Sequence, residues 1–473
     1  MKSPAGGDNK KRAPGGDSET LNATYTSLSV DDDGESLQRF VADLYAHCQR
    51  AAGDGIRAAL AALRTYIPLT VHEVRSGTQI LDWTVPLEWK LREAHITHHS
   101  GKRVVDALNS NLHVVAYSAP VRARMSLADL RRHIFSERER FDWIPHGGLH
   151  PPDAWGFYLS NKELEALPEG EYDVCIDACL EPGQLTYGEC LVRGRSFEEV
   201  LISCHLGNPC FPNDNLSSIA VATALAQRLR SKRTRYSYRL LFIPSTIGSI
   251  AWIALNQSRL FRIKHGLVLT QLGGLGQPSY KVSRHGDAEI DRIFAFVLGE
   301  TGEAFQIESF SPYGEDERQY CSPGLDLPVG RFMRARATLT AEDCASTGDP
   351  TAVHAEPLHD SLVKLQSVID ILEHNRCYLN QKPYCEPQLS KYGLARFRSG
   401  RSAAAHRHAL LWVLNYSDGE NTLLDIAARA GLRWSDIKHA ASALRACDLL
   451  KLAGRQTSRR SQRNPRRLVS SGP

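Results

Sequence analysis

The chain has no apolar run long enough to cross a bilayer. Stretches such as Leu410-Leu411-Trp412-Val413-Leu414 stop far short of the roughly 20 residues a span requires. The polar N-terminus has no apolar leader core, so a cytoplasmic protein without membrane contact is expected. Eleven cysteines include no Cys-x-x-Cys pair and no regular spacing, which leaves no paired-thiol framework to organise the fold. Cys175, Cys204 and Cys447 lie inside apolar segments, so reduced, buried thiols are expected. A large excess of one charge is missing too: the formal net charge is +4, which by itself says little about partners. The exception is 455–467, dense in Arg and without an acid. It reads as a basic disordered tail (455–473), with nucleic-acid attraction the lesser reading.

What is present is ordinary globular composition. At 473 residues, 42% hydrophobic and 23% charged, the chain can bury a sizeable core in two or three domains. Residues 1–35 lack apolar periodicity and read as a disordered tail. Helical stripes follow at 37–48 and 56–66. Over 70–118 the period changes to two between short turns, predicting a small antiparallel β domain; His98 and His99 beside one of its turns read as a solvated pair. A helix is expected over 125–135, then a loop with His146 and His150 placed to line a cleft. Two alternating runs, 170–180 and 185–192, flank Glu181-Pro182-Gly183 and read as a hairpin.

From 199 onward strands and helices alternate. Strands are expected at 200–204, 238–243 and 265–271, helices at 216–229, 247–257 and 287–298. This rhythm predicts a largely parallel sheet covered by helices on both faces. Ligands of such sheets bind beyond the carboxyl ends of the strands, where His205, Pro244-Ser245-Thr246 and Leu272-Gly273-Gly274 fall. A last strand is expected at 327–333, a closing helix at 358–375 and a linker at 381–400. Helices at 409–415, 423–430 and 434–446 with a strand at 449–452 then make a winged-helix module, 401–454. Its candidate recognition helix begins Trp434-Ser435-Asp436-Ile437-Lys438-His439, with a single Lys. Packing or a protein partner is therefore expected ahead of DNA reading.

The stretch 201–215 organises the rest. A strand ends on His205, and a short loop delivers Asp214 to a helix start. Imidazole nitrogen and carboxylate oxygen suit zinc; the competing reading makes Asp214 a helix cap.

Several blocks resemble the bacterial aminopeptidase-like proteins: 77–89, 111–118, Asn213-Asp214-Asn215-Leu216-Ser217, Thr246-Ile247-Gly248-Ser249-Ile250, Asp316-Glu317-Arg318-Gln319-Tyr320-Cys321-Ser322-Pro323-Gly324 and Cys385-Glu386-Pro387-Gln388-Leu389. The resemblance spans about residues 37–452. It implies a zinc-exopeptidase-like α/β domain (36–69 and 119–380), an inserted β domain (70–118) and a C-terminal winged helix. It also implies a zinc site on His205 and Asp214 with Glu317 as a further ligand. Asn215, Asp316, Arg318 and Tyr320 would line a site for a peptide-like or aminoacyl ligand. Such proteins are often encoded with polysaccharide or secondary-metabolite genes.

The chain departs from that pattern at the site. Leu206 replaces the usual Pro after the strand-end His, and Ser245 stands where the family carries a Glu as general base. Cys344 aligns with a late zinc His, with His354 as an alternative ligand. A serine cannot take a proton from water near neutral pH, and loss of a positioned base costs on the order of a hundred- to ten-thousand-fold in rate. Asp316 and Glu317 also read as an ion pair with Arg318. The expectation is a pseudopeptidase or a protein of repurposed amide chemistry, with the retention of zinc and a homo-oligomeric state left open. The alternatives are an active zinc aminopeptidase or amidohydrolase, and a winged-helix DNA-binding regulator.

Overall fold

A computed structural model describes residues 25–28, 33–50, 54–107, 113–137, 141, 144, 154–207, 212–335, 350–394 and 401–454. Its central sheet has eight strands, in the spatial order Thr70–Arg75, Gln184–Val192, Ser237–Ile243, Glu199–His205, Ile263–Leu269, Val329–Ala335, Gln277–Lys281, Gln306–Glu308. The middle four are mutually parallel. They are apolar nearly throughout because both faces are covered, the pattern of a parallel sheet between helices. Alternate residues serve opposite cores. Ile202, Cys204, Leu240 and Phe242 pack with helices Asp33–Arg50, Ser217–Arg230 and Ala355–His374, while Leu201, Leu241 and Ile243 pack under Ile247–Asn256. A buried ion pair is woven into the sheet: Arg239, 3% exposed, donates to Glu199 from Nε (2.6 Å) and Nη2 (2.9 Å) and also pairs with Glu189.

A second, four-stranded antiparallel sheet is ordered Arg103–Asp106, Glu88–His98, Glu171–Glu181, Val121–Ser126. Its own core includes Ala94, Ile96, Val174, Ile176, Leu130 and Phe157. The β domain expected at 70–118 is thus drawn differently. Thr70–Arg75 belongs to the central sheet through Gln184–Val192, and the second sheet recruits strands well beyond residue 118. The expected hairpin also fails, because its two arms lie in different sheets. Pairing with distant strands overrides the local turn signal at Pro182-Gly183. Residues 113–118 form only an isolated bridge through Val114. The helix expected at 125–135 is shorter: an α-helical turn Leu127–Leu130 capped by Ser126 runs into a 3-10 turn, Arg131–His133, between two strands. His98 is 8% exposed and bonded to Ser100 Oγ (2.8 Å), so it is no solvated residue. The described cysteines are free thiols. No described helix is long and apolar enough to cross a membrane. His146, His150 and the Arg-rich tail lie outside the described residues.

The winged helix comprises Arg401–Tyr416, Leu423–Ala430 and Trp434–Ala446 with a three-stranded sheet of Asp418–Thr422, Cys377–Asn380 and Leu450–Leu452. Its middle strand precedes the expected linker, so 381–400 is a connection inside the module rather than a spacer before it. The recognition helix faces inward. Trp434 Nε1 donates to Asp370 Oδ2 (2.7 Å), Lys438 Nζ to Asp370 Oδ1 (2.5 Å), and Trp434 N to Glu300 Oε1 (2.6 Å). Ile437 and Leu444 join the same apolar core as Leu365 and Val368.

Candidate functional site

Three parallel strands end side by side, and their ends make the site. His205 closes Glu199–His205, and Pro244-Ser245-Thr246 follows Ser237–Ile243. Thr270-Gln271 follows Ile263–Leu269. Asp214 arrives on a π-helical turn, Pro212–Leu216, ahead of Ser217–Arg230. Such turns recur at functional positions because they re-aim a side chain. Asn213 anchors this one by accepting from Gly273 N (3.0 Å).

Asn215 ties the pair together: its Nδ2 lies 3.1 Å from His205 Nδ1 and 2.9 Å from Asp214 Oδ2, while those two atoms are 3.9 Å apart. The second Asp214 oxygen accepts from Gln271 Nε2 (3.2 Å) and Thr270 Oγ1 (3.4 Å). Asp214 is therefore a held carboxylate and not a simple helix cap. Gln271 has φ 51°, a left-handed conformation that costs a non-glycine residue on the order of 1 kcal/mol or more.

The Ser245 turn is strained as well. Thr246 has φ 61° and ψ −68°, and Ile247 N donates to Ser245 O (2.8 Å). Together these define a γ-turn of the rare, strained kind. Asp316, 2% exposed, braces it by accepting from Thr246 N (2.7 Å) and Ser249 Oγ (3.0 Å). Burial pushes the Asp316 carboxyl above its ordinary range, and the Thr246 and Ser249 hydrogen bonds oppose that push.

Glu315 is the carboxylate that sequence reasoning passed over in favour of its two neighbours. Its Oε2 accepts from Ser245 Oγ (3.4 Å). Burial raises its pKa first and the charge of Asp214 raises it further, while His205 opposes the shift. Its loop turns at Gly314, φ +135°, where a Cβ would stand 2.6 Å from Glu317 Oε1. Glu315 thus touches Ser245 at the strand ends and feels the charges of Asp214 and His205.

The other expected residues are placed as follows. Glu317 is fully buried and paired with Lys281 Nζ (2.8 Å), with Arg331 at 3.9 Å. Its ion-pair partner is thus Lys281 and not Arg318. Arg318 Nη2 reaches Thr246 Oγ1 (3.3 Å), so it touches the site turn. Tyr320 is fully buried in the core, 3.1 Å from Ser203 Oγ, and lines no cleft. His354 sits at the head of helix Ala355–His374, its backbone donating to Gly273 O (2.9 Å). Cys344 lies outside the described residues.

Beside His205 and Ser245 opens a cleft of about 310 Å³, lined also by Val85, Leu87, Trp89 and Tyr117. That volume suits a small ligand. A recess of similar size, about 320 Å³, lies between the α/β domain and the winged helix, lined by Arg228, Arg376, Lys438 and Arg445 among others. It contains none of the strand-end residues.

His205 and Asp214 are two ligand types that suit zinc, but the described residues do not close a zinc site around them. No third His, Cys, Asp or Glu atom there lies within 4.8 Å of both, and the Asn215 amide already bridges them.

The comparisons bear on the family and the fold. A family model described as a domain of unknown function, DUF4910, matches residues 38–375, and a winged helix-turn-helix model matches 376–452. A Clostridium acetobutylicum protein whose name couples polysaccharide biosynthesis to an aminopeptidase-like domain is 41% identical over 429 residues, 90% of this chain and 98% of its own. A crystal structure from the same organism, provisionally named a peptidase, superposes with a TM-score of 0.82 at 40% identity, over 89% of this chain and 96% of that one. A zinc aminopeptidase from Bacillus subtilis shares the fold, with a TM-score of 0.52 at 12% identity over 73% of this chain and 96% of its own. The chain therefore belongs to the DUF4910 family, aminopeptidase-like proteins that carry a zinc-aminopeptidase fold and a C-terminal winged helix.

Proposed function

We propose that this chain binds a small peptide-like or aminoacyl ligand in the cleft beside His205 and has lost ordinary zinc-aminopeptidase turnover. The observation that carries the reading is Ser245, a hydroxyl at the strand-end position where the resemblance calls for a carboxylate base. A hydroxyl stays protonated near neutral pH and cannot activate water. The Asn215 bridge between His205 and Asp214 supports the same reading, because a metal taking His205 Nδ1 and Asp214 Oδ2 would have to displace it. Arg318, which reaches Thr246 Oγ1, is the polar group offered to a ligand at the site turn, whereas Asn215 is fully buried and committed to His205 and Asp214. The free, buried cysteines support a reducing cytoplasmic setting. The polysaccharide pathway named for the Clostridium relative is proposed for this chain on their shared length and identity.

Metal analysis of the purified protein, with an assay against aminoacyl-amides, tests the proposal. No turnover is expected, with or without added zinc. Stoichiometric zinc together with turnover that disappears in His205→Ala overturns it.

Glu315 favours a second reading, in which a carboxyl from another loop performs acid-base amide chemistry at the same place. Its raised pKa and its contact with Ser245 support that role. Turnover with a pH profile abolished by Glu315→Gln distinguishes this from pure binding.

A further inference from the structure

Away from the cleft, three metal-type ligands converge on the second sheet. Glu93 and His95 stand two apart on Glu88–His98 and so share a face. Cys175, on the neighbouring strand, is the direct partner of His95, and opposed residues of an antiparallel pair bring their Cβ atoms to about 5 Å. One ligand atom from each of the three lies within 4.8 Å of the other two. This face is opposite the one carrying Ala94, Ile96, Val174 and Ile176. Even so, Cys175 is only 6% exposed, and His95 Nδ1 is buried without a hydrogen-bond partner. The thiol is free, and its Sγ lies 3.7 Å from Glu93 Oε1.

We propose that Glu93, His95 and Cys175 bind one zinc-type divalent cation, with water in the fourth position. Nitrogen, sulfur and oxygen donors together select zinc over the hard cations, and three protein ligands plus an open position is a common zinc arrangement. On binding, the Cys175 Sγ–H bond breaks, its proton passes to solvent, and the thiolate bonds to the metal. Thiolate and carboxylate together neutralise the ion. Arg122 Nη2 contacts Glu93 Oε1 at 3.3 Å but also Asp177 Oδ2 at 3.4 Å. Asp177 therefore keeps the guanidinium paired when Glu93 turns to the ion. All three ligands sit on paired strands, which fix their spacing better than a loop would. The site is separate from the His205 cleft and does not rest on the function proposed for it.

The test uses full-length protein stripped with a chelator and titrated with Co²⁺, then Zn²⁺. One equivalent of Co²⁺ is expected to give a thiolate-to-metal charge-transfer band that Zn²⁺ displaces. Cys175→Ser and His95→Ala abolish the band and weaken zinc binding at least roughly tenfold, the low end of what even an outer partner's loss costs. His205→Ala retains the band. Binding without a thiolate band, or a band that survives in Cys175→Ser, overturns the proposal and leaves the trio a thiol-carboxylate hydrogen bond. If Cys175→Ser does not fold, Glu93→Gln decides: tenfold weaker zinc binding supports the site, and unchanged affinity removes it.

Discussion

Ser245 Oγ and Glu315 Oε2 meet at 3.4 Å, joining the turn after one central strand to a loop 70 residues later in the chain. The contact puts a carboxyl beside a position that lacks one. It also places that carboxyl near Asp214, whose charge makes Glu315 harder to ionise.

Glu315 gives the first prediction. Its folded pKa lies above its unfolded value, so the stabilising contribution is complete below the unfolded pKa and is lost as pH rises through the folded one. Glu315→Gln, which mimics the protonated form, should melt higher than wild type at about pH 7 and match it near about pH 4. An equal melting temperature at both pH values refutes the assignment.

The Arg239 network predicts a large stability loss. Glu199→Ala leaves a buried guanidinium with one partner fewer, a change that costs about 3–5 kcal/mol when a buried pair is broken. Urea unfolding measures it, and a cost below about 1 kcal/mol would show that water reaches Arg239.

The Thr246 turn predicts an asymmetry. Asp316→Ala strands the Thr246 amide and the Ser249 hydroxyl, at about 1–3 kcal/mol for each group left unsatisfied. Thr246→Gly removes backbone strain worth about 1–3 kcal/mol and should be neutral or stabilising. The order of the two melting temperatures decides, and a Thr246→Gly variant that melts below Asp316→Ala sinks the account.

Asp370 predicts acid-sensitive docking of the winged helix. Burial alone would raise its pKa, but hydrogen bonds from His374, Lys438 and Trp434 outweigh burial and hold it well below the usual carboxylate range. A depressed carboxylate contributes stability above its unfolded pKa, lost as pH falls through the folded one. Proteolysis within 381–394 should therefore accelerate below about pH 4, and Asp370→Asn should cleave fast already at neutral pH. Cleavage of both proteins that is slow and independent of pH counts against the docking.

Docking of that helix also bears on nucleic acid. Trp434 and Lys438 are occupied by Asp370 and Glu300, so no salt-sensitive duplex binding is expected from 401–454. A mobility shift of the full-length chain that weakens steeply with added salt contradicts this.

Much of the frame was legible because it rests on local periodicity. The strand ending at His205, the helix after Asp214 and the place of Ser245 at a strand end follow from apolar spacing and topology, while the reading of Ser245 as a replaced base comes from the resemblance. What failed depended on distant partners. Nothing near Pro182-Gly183 reveals that Glu171–Glu181 pairs with Glu88–His98 while Gln184–Val192 pairs with Ser237–Ile243. Among Glu315, Asp316 and Glu317, spacing cannot tell which reaches Ser245; Lys281 claims Glu317, Thr246 claims Asp316, and Glu315 is the one that does. Tyr320 misled for the same reason, since an aromatic in a polar block gives no sign of facing Ser203.

The apolar core that runs unbroken from Leu365 and Val368 into Ile437 and Leu444 makes the C-terminal module inseparable from the rest. A cut at the junction would expose matching oily faces on both fragments. Each half would then be prone to clump, and the intact chain should melt in a single cooperative step.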